Sequence, residues 1–266
     1  MRNIRLVLEY DGTDFSGWQA QSVAGVRTVQ EEVESVLARV LQEPVRLVVA
    51  GRTDAGCHAA GQTASFRTAG DLSLHRLARA LNGLLPPDIA VRSVAEVPDS
   101  FHARFSAVER RYHYHLLARP SALWARRAWW PFLELDAEAL TRAFAPFLGE
   151  HDFRAFAGRD PARGDLPHGR CRVTRLAFVP WEEGVRLEVH ANRFLYHMVR
   201  NFVGTATAIT KGTRRAYDLP AILASLDRRR AGPTAPPVGL TLVEVVYPGH
   251  QAPVAPVVDG WGRAVV

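Results

Sequence analysis

The stretch AGRTDAGCHA, Ala50 to Ala59, places Arg52, Thr53, Asp54 and His58 within seven positions of one another, just after a strand-like apolar run. Asp54 can act as a nucleophile toward an electrophilic carbon, and Arg52 on the same loop can grip a phosphate. Asp54-Ala55-Gly56 between two strands is also a good turn. The turn is the plainer reading; placement weakens it, because a loop leaving a buried strand is where a rigid scaffold presents side chains to a cleft. Cys57 beside His58 suggests a metal pair, but zinc needs three or four ligands and none converge in the sequence, so no metal is expected.

Two further stretches have chemical potential. RFLYHMVRN puts Arg193, His197 and Arg200 at spacings that share one helix face, with Phe194, Met198 and Phe202 as an apolar stripe. A solvated basic face on an amphipathic helix is the plainer alternative. ERRYHYHLL interleaves Arg110, Arg111, Tyr112, His113, Tyr114 and His115 on a strand. Such a strand can offer rings for base stacking and guanidinium groups for phosphate, or it can simply turn Tyr112, Tyr114 and Leu116 into the core.

The elements that position these residues follow from periodicity. Ile4, Leu6, Leu8 and Tyr10 alternate as a strand; Thr28 and Glu31 form a capping box ahead of the stripe Val29, Val33, Val36, Leu37, Val40 and Leu41. Strands are expected over 45–50, 62–68 and 89–97, with a helix over 73–85 between the last two. The order β-α-β-β-α-β is that of a ferredoxin-like unit. A looser repeat follows: strands over 110–118, 172–180, 185–192 and 240–247, and helices over 136–148, along the Phe194 to Ile209 stripe, and over 219–226. The expectation is an α+β protein of two ferredoxin-like halves, residues 1–105 and 106–248, with a mixed, mainly antiparallel sheet, helices packed against it and a central basic cleft. The segment 120–130 reads as a long lining loop, and the tail 249–266 has no assigned role.

The 266 residues suffice for a sizeable core. The net charge of +6 favours a polyanionic partner, and Lys211 is the one lysine among 33 basic residues, so the positive charge is almost wholly guanidinium. Genomic composition bias accounts for the arginines equally well. Two cysteines, Cys57 and Cys171, are too few for a disulfide framework. With no long apolar run and no apolar signal core at the start, the expectation is a cytoplasmic protein without a membrane partner.

These stretches, read in order from Leu6 to Pro248, closely resemble the TruA family of tRNA pseudouridine synthases. The resemblance is carried by Tyr10-Asp11-Gly12-Thr13 with Phe15, Gly17, Trp18 and Gln19, then Gly51 to Gly56 with His58, Arg111-Tyr112, His151-Asp152-Phe153, Phe194 to Asn201 with Gly204, and Gly239-Leu240. Cys57 departs from the valine expected there. The resemblance implies an isomerase that converts uridine to pseudouridine at positions 38, 39 and 40 in the tRNA anticodon stem-loop, without a cofactor and as a homodimer. It implies Asp54 as the essential aspartate, Arg200 as its pairing arginine, and Tyr112 as the ring that stacks on the target base. Arg52 would fill the gap left by the flipped base or hold a flanking phosphate, and Leu240 would floor the pocket. Arg110 and Arg111 would track the tRNA backbone, and His58 joins the substrate-binding set. The rivals are a noncatalytic RNA-binding module and a nucleoside or glycosidic-bond hydrolase, the latter wanting two carboxylates around a water.

Overall fold

The computed structural model describes residues 1–21, 25–159 and 168–249, so the tail 249–266 lies, but for Gly249, outside the described residues. The strands are β1 (Arg2–Tyr10), β2 (Val48–Val49), β3 (His58–Thr68), β4 (Ile89–Val97), β5 (Glu109–Leu117), β6 (Gly149–Asp152), β7 (Arg170–Trp181), β8 (Gly184–Ala191) and β9 (Leu240–Val246). The helices are α1 (Val29–Leu41), α2 (Leu74–Leu84), α3 (Ala137–Phe144), α4 (Met198–Thr210) and α5 (Leu219–Ser225). The protein is thus of the α+β class. It divides into two compact units, Met1–Val108 with the stretch that starts at Leu242, and Glu109–Thr241.

In the first unit β1 lies between β3 and β4 and is antiparallel to both, while β9 and β2 also pair with β3. The alternation that predicts β1 is real on its buried face: Ile4, Leu6 and Leu8 are fully buried. Val33 and Leu37 of α1 and Leu77 and Leu81 of α2 are buried as well, each such side chain stabilising the fold by about 1.5–3 kcal/mol. Thr28 caps α1, accepting from the Glu31 amide at 3.4 Å and donating to the Glu31 carboxylate at 2.6 Å. The strand expected over 45–50 shrinks to two residues. The reason is local: the Leu47 amide donates to Glu34 Oε1 at 2.8 Å, so it has left the ladder. β3 in turn starts earlier than expected. Gly61 within it lets β9 approach, since a Cβ there would sit 2.3 Å from the Val243 carbonyl oxygen.

In the second unit the strand order is β5-β8-β7-β6, with every neighbouring pair antiparallel. Tyr112, Tyr114 and Leu116 face the buried side, and α4 is almost wholly buried, with Phe202 ringed by Phe144, Phe147, Phe153 and Phe156 at centroid distances of 5.2–6.2 Å. Three expectations need correction here. The helix over 136–148 stops at Phe144, because Pro146 turns the chain into the 3₁₀ segment Ala145–Phe147. The short polar strand β6, GEHD, carries no apolar alternation, so periodicity does not predict it. The stripe from Phe194 is not one helix: His197 takes a left-handed conformation (φ 59°) and α4 begins only at Met198, so Arg193 and His197 do not share a helix face with Arg200. The segment 120–130 covers part of the other sheet face through Trp124, which packs edge-on against Trp181 at 5.1 Å.

That other face carries a ladder of charges. Glu109 accepts from Arg111 Nε at 2.8 Å and from Thr174 at 2.6 Å, and Glu188 accepts from Arg175 Nε at 2.8 Å and from Arg186. Burial would raise both carboxyls, but these hydrogen bonds outweigh it and hold them below their ordinary values. Burial, then repulsion from Arg186, pulls His113 down to about 4 against the attraction of Glu188, and burial and Arg111 lower His190 too.

Two predictions follow from this packing. Phe202→Ala should cost about 3–5 kcal/mol, read as a lower denaturant midpoint with little change in slope; a loss below about 1 kcal/mol would mean that the ring cluster collapses around the void. His113 binds its proton less well folded than unfolded, so its contribution is present above its ordinary value of 6.5 and is lost as pH falls toward about 4. The urea midpoint should decline through that window, and His113→Gln should flatten the decline. An unaltered slope in that variant would assign it to other groups.

Candidate functional site

In the first unit the loop from Gly51 to Cys57 is fixed by the loop that follows β1. The Trp18 amide donates to the Thr53 carbonyl at 3.1 Å, and the Gly56 amide to the Phe15 carbonyl at 3.2 Å. Within the loop, the Cys57 amide donates to the Asp54 carbonyl at 3.1 Å, closing a turn with Gly56 at φ 74°. Asp54 is therefore a turn former and a presented carboxylate at once: its backbone is committed, while its side chain is half-buried at the surface. Arg52 is exposed beside it.

Beneath the loop runs a buried polar chain. The Tyr10 hydroxyl shares a 2.7 Å hydrogen bond with Thr53 Oγ1 and accepts from Gln62 Nε2 at 3.3 Å, and the same Nε2 donates to the Gly51 carbonyl at 2.7 Å. Burial holds the Tyr10 phenol protonated, its pKa well above the ordinary value. Gly17 (φ 90°) crosses so near that a Cβ would lie 2.8 Å from the Thr53 carbonyl oxygen. His58 is buried, 4% exposed, and its Nδ1 accepts from the Gly12 amide at 3.1 Å. Nδ1 also lies 3.3 Å from Asp11 Oδ1. The Gly12 amide hydrogen is directed at that nitrogen, so Nδ1 is the acceptor, and the Asp11 oxygen instead takes the Thr13 amide at 3.0 Å and hydroxyl at 2.6 Å. His58 thus grips the backbone behind the loop.

In the second unit Tyr112 is 9% exposed and meets Phe194 edge-on at 5.0 Å, which fixes the plane of its ring. Its neighbours on β5 are tied down: Arg111 to Glu109 on the other face, and Arg110 to the Asn192 carbonyl, to which it donates at 2.8 Å. Arg200, in the first turn of α4, donates from Nε to the Ala235 carbonyl at 2.8 Å. Leu240, 8% exposed, is the residue at which the turn Pro237–Gly239 gives way to β9. Gly239 is required there, since a Cβ would sit 2.5 Å from the Tyr114 ring.

The arrangement thus groups Arg52, Asp54 and His58 on one loop and its base. Tyr112 and Arg200 occur on two elements of the second unit. Periodicity singles out the presented side chains but misses Gln62, Asn201 and Arg228, whose work is to bond backbone. For Asn201 the one sequence signal is a polar residue inside the otherwise apolar VRNFVG, whereas Arg228 is hidden in the run of three arginines 228–230.

Known proteins match most of the chain. The family model described as tRNA pseudouridine synthase matches residues 6–106 and 143–248. The protein from Chlorobium luteolum named tRNA pseudouridine synthase A is 44% identical over 250 residues, covering 93% of this chain and 96% of that one. That of Acetivibrio thermocellus, with the same name, is 41% identical over 250 residues, covering 93% and 100%. That of Paraburkholderia phymatum is 40% identical over 259 residues, covering 96% and 95%. No helix among the described residues is long and apolar enough to cross a membrane. With the family model matched over both 6–106 and 143–248 and these relatives covering 93–96% of the chain, the chain belongs to the tRNA pseudouridine synthase family and is an isomerase.

Proposed function

We propose that the protein converts uridine to pseudouridine at positions 38, 39 and 40 of the tRNA anticodon stem-loop, with Asp54 as its catalytic carboxylate and no cofactor. The observation that supports this most is the Asp54 loop itself, whose backbone is held on both sides of the carboxylate while the side chain stays at the surface. The chemistry breaks the N1 glycosidic bond, turns the uracil while it stays bound, and rejoins it to the ribose through C5. The Asp54 carboxylate opens the sequence, by attack on the anomeric carbon or by taking a ribose proton on the way to a glycal. Arg200 supplies the guanidinium that balances and aims this carboxylate. Tyr112 stacks on the base during its turn, and Leu240 lies beneath the base.

The target must leave its stack before the sugar is reachable, at a cost of about a few kcal/mol. Arg52, exposed next to Asp54, fills the gap or holds the flanking phosphate. Arg110 and Arg111 bind backbone phosphate without reading sequence. His58 contributes from behind, by fixing Gly12. The reading takes two copies of the chain as gripping tRNA together.

The decisive experiment incubates unmodified tRNA transcript with wild type and with Asp54→Asn, and maps pseudouridine by site-resolved chemistry. Wild type should place it in the anticodon stem-loop, and Asp54→Asn should bind the transcript yet make none. Release of free uracil would replace this reading with a hydrolase; wild type that binds without any product would replace it with a binding module. Affinity should also fall steeply with salt, and Arg110→Ala should reduce the slope of log Kd against log salt by about one. An unchanged slope would remove Arg110 from the phosphate-binding set.

A further inference from the structure

The side chain of Arg200 is tethered to a segment with no regular structure of its own. Its Nε donates to the Ala235 carbonyl at 2.8 Å, while the Ala235 amide donates to the Arg200 carbonyl at 3.1 Å. Residue 235 thus clasps residue 200 at both backbone and side chain, so a shift of Ala235 acts on the direction of the guanidinium. Residues 231–236 contain two prolines and adopt neither helix nor strand. Something else must hold them.

What holds them is a polar cluster on the first turns of α4. Asn201 is fully buried, and its Nδ2 donates to the Phe156 carbonyl at 2.6 Å, which fixes the amide so that Oδ1 faces the segment. Oδ1 accepts from the Thr234 hydroxyl at 2.7 Å and from an Arg228 NH2 at 2.8 Å. Arg228 also donates to the Gly232 carbonyl at 2.8 Å and to Thr234 Oγ1 at 3.1 Å. One planar guanidinium therefore joins the helix to two points of the segment, a task that the single ammonium of lysine cannot reproduce with the same geometry. At Gly204 the segment passes so close that a Cβ would lie 1.6 Å from the Pro233 carbonyl oxygen, so the docking is tight and a small shift at 232–234 is passed on to Ala235.

We propose that Arg228 is a positioning residue for Arg200: through Asn201, Gly232 and Thr234 it sets Ala235, and Ala235 sets the direction of the Arg200 guanidinium. This inference rests on the reading of Arg200 as the partner of Asp54. A displacement of about 1 Å in a catalytic group costs on the order of 10²-fold in rate, so the effect belongs in turnover, with tRNA affinity largely spared.

The test is a cycle of single-turnover pseudouridine formation on unmodified tRNA transcript with Arg228→Met, Arg200→Lys and the pair, alongside tRNA binding and thermal melting. Arg228→Met should slow the saturated rate by about 10²-fold, with Kd changed less than about threefold, and Arg228→Lys should not restore it. In the Arg200→Lys background the same change should add less than about threefold, because its route runs through Arg200. Thr234→Val, which removes one tie of the same cluster, should show the same pattern at smaller size and carries the cycle if Arg228→Met does not fold. A full multiplicative loss in the Arg200→Lys background, or a wild-type rate for Arg228→Met, overturns the positioning role while leaving the reading of Arg200 intact. A wild-type rate for Arg200→Lys overturns that reading, and this inference with it.

Discussion

Just past the first strand, Gly12 runs so near Cys57 that a Cβ on it would lie 1.8 Å from the Cys57 carbonyl oxygen, while its own amide donates to His58 Nδ1. No residue with a side chain fits that crossing without moving backbone. Because the contact joins the start of one loop to the end of another, it fixes the separation of β1 from the Asp54 loop. The Trp18 to Thr53 and Gly56 to Phe15 hydrogen bonds then fall within reach. The buried Tyr10, Thr53 and Gln62 chain completes the support from below. Removing any hydroxyl or amide from that chain would leave a buried partner unpaired, which typically costs more than the bond contributes when made.

The second unit solves a like problem by like means. There too a glycine allows a close backbone approach, Gly204 against Pro233, and there too a buried polar side chain takes the neighbouring backbone, Asn201 in place of His58. The difference lies in what is held. Asp54 stands on a loop that hydrogen bonds close from both sides, whereas Arg200 stands on a helix and is directed by an irregular segment that needs a charged clamp. A long guanidinium side chain has more rotamers to lose than a carboxylate, so directing it takes a second element.

Much of this architecture is legible in the residue pattern. Period-two alternation gives β1 and β5, the Thr28 cap marks the start of α1, and Asp54-Ala55-Gly56 marks the turn that the structure closes there. What was not legible has a common physical cause. A strand boundary depends on which group takes each amide, and at Leu47 that group is Glu34, on a helix thirteen residues upstream in the chain. The start of α4 depends on His197 adopting φ 59°, a conformation its neighbours Tyr196 and Gly158 accommodate and periodicity cannot register. The supporting residues were invisible for the same reason, since Gln62 and Arg228 act on partners distant in sequence. Side-chain pattern reports which face is buried; it does not report where backbone hydrogen bonds end.

This division bears on how one enzyme can serve several neighbouring uridines, as proposed above. Recognition of RNA largely by shape and phosphate leaves the base sequence unread, so selectivity must come from which nucleotide can reach the carboxylate. That demands a carboxylate whose position does not adapt. The Asp54 backbone meets the demand through hydrogen bonds made within its own unit, before any RNA arrives, so little of the binding free energy is spent on ordering the loop. On the proposed reading, adaptation is left to exposed guanidinium groups such as Arg52, whose long side chains can follow a phosphate without disturbing the turn beneath them.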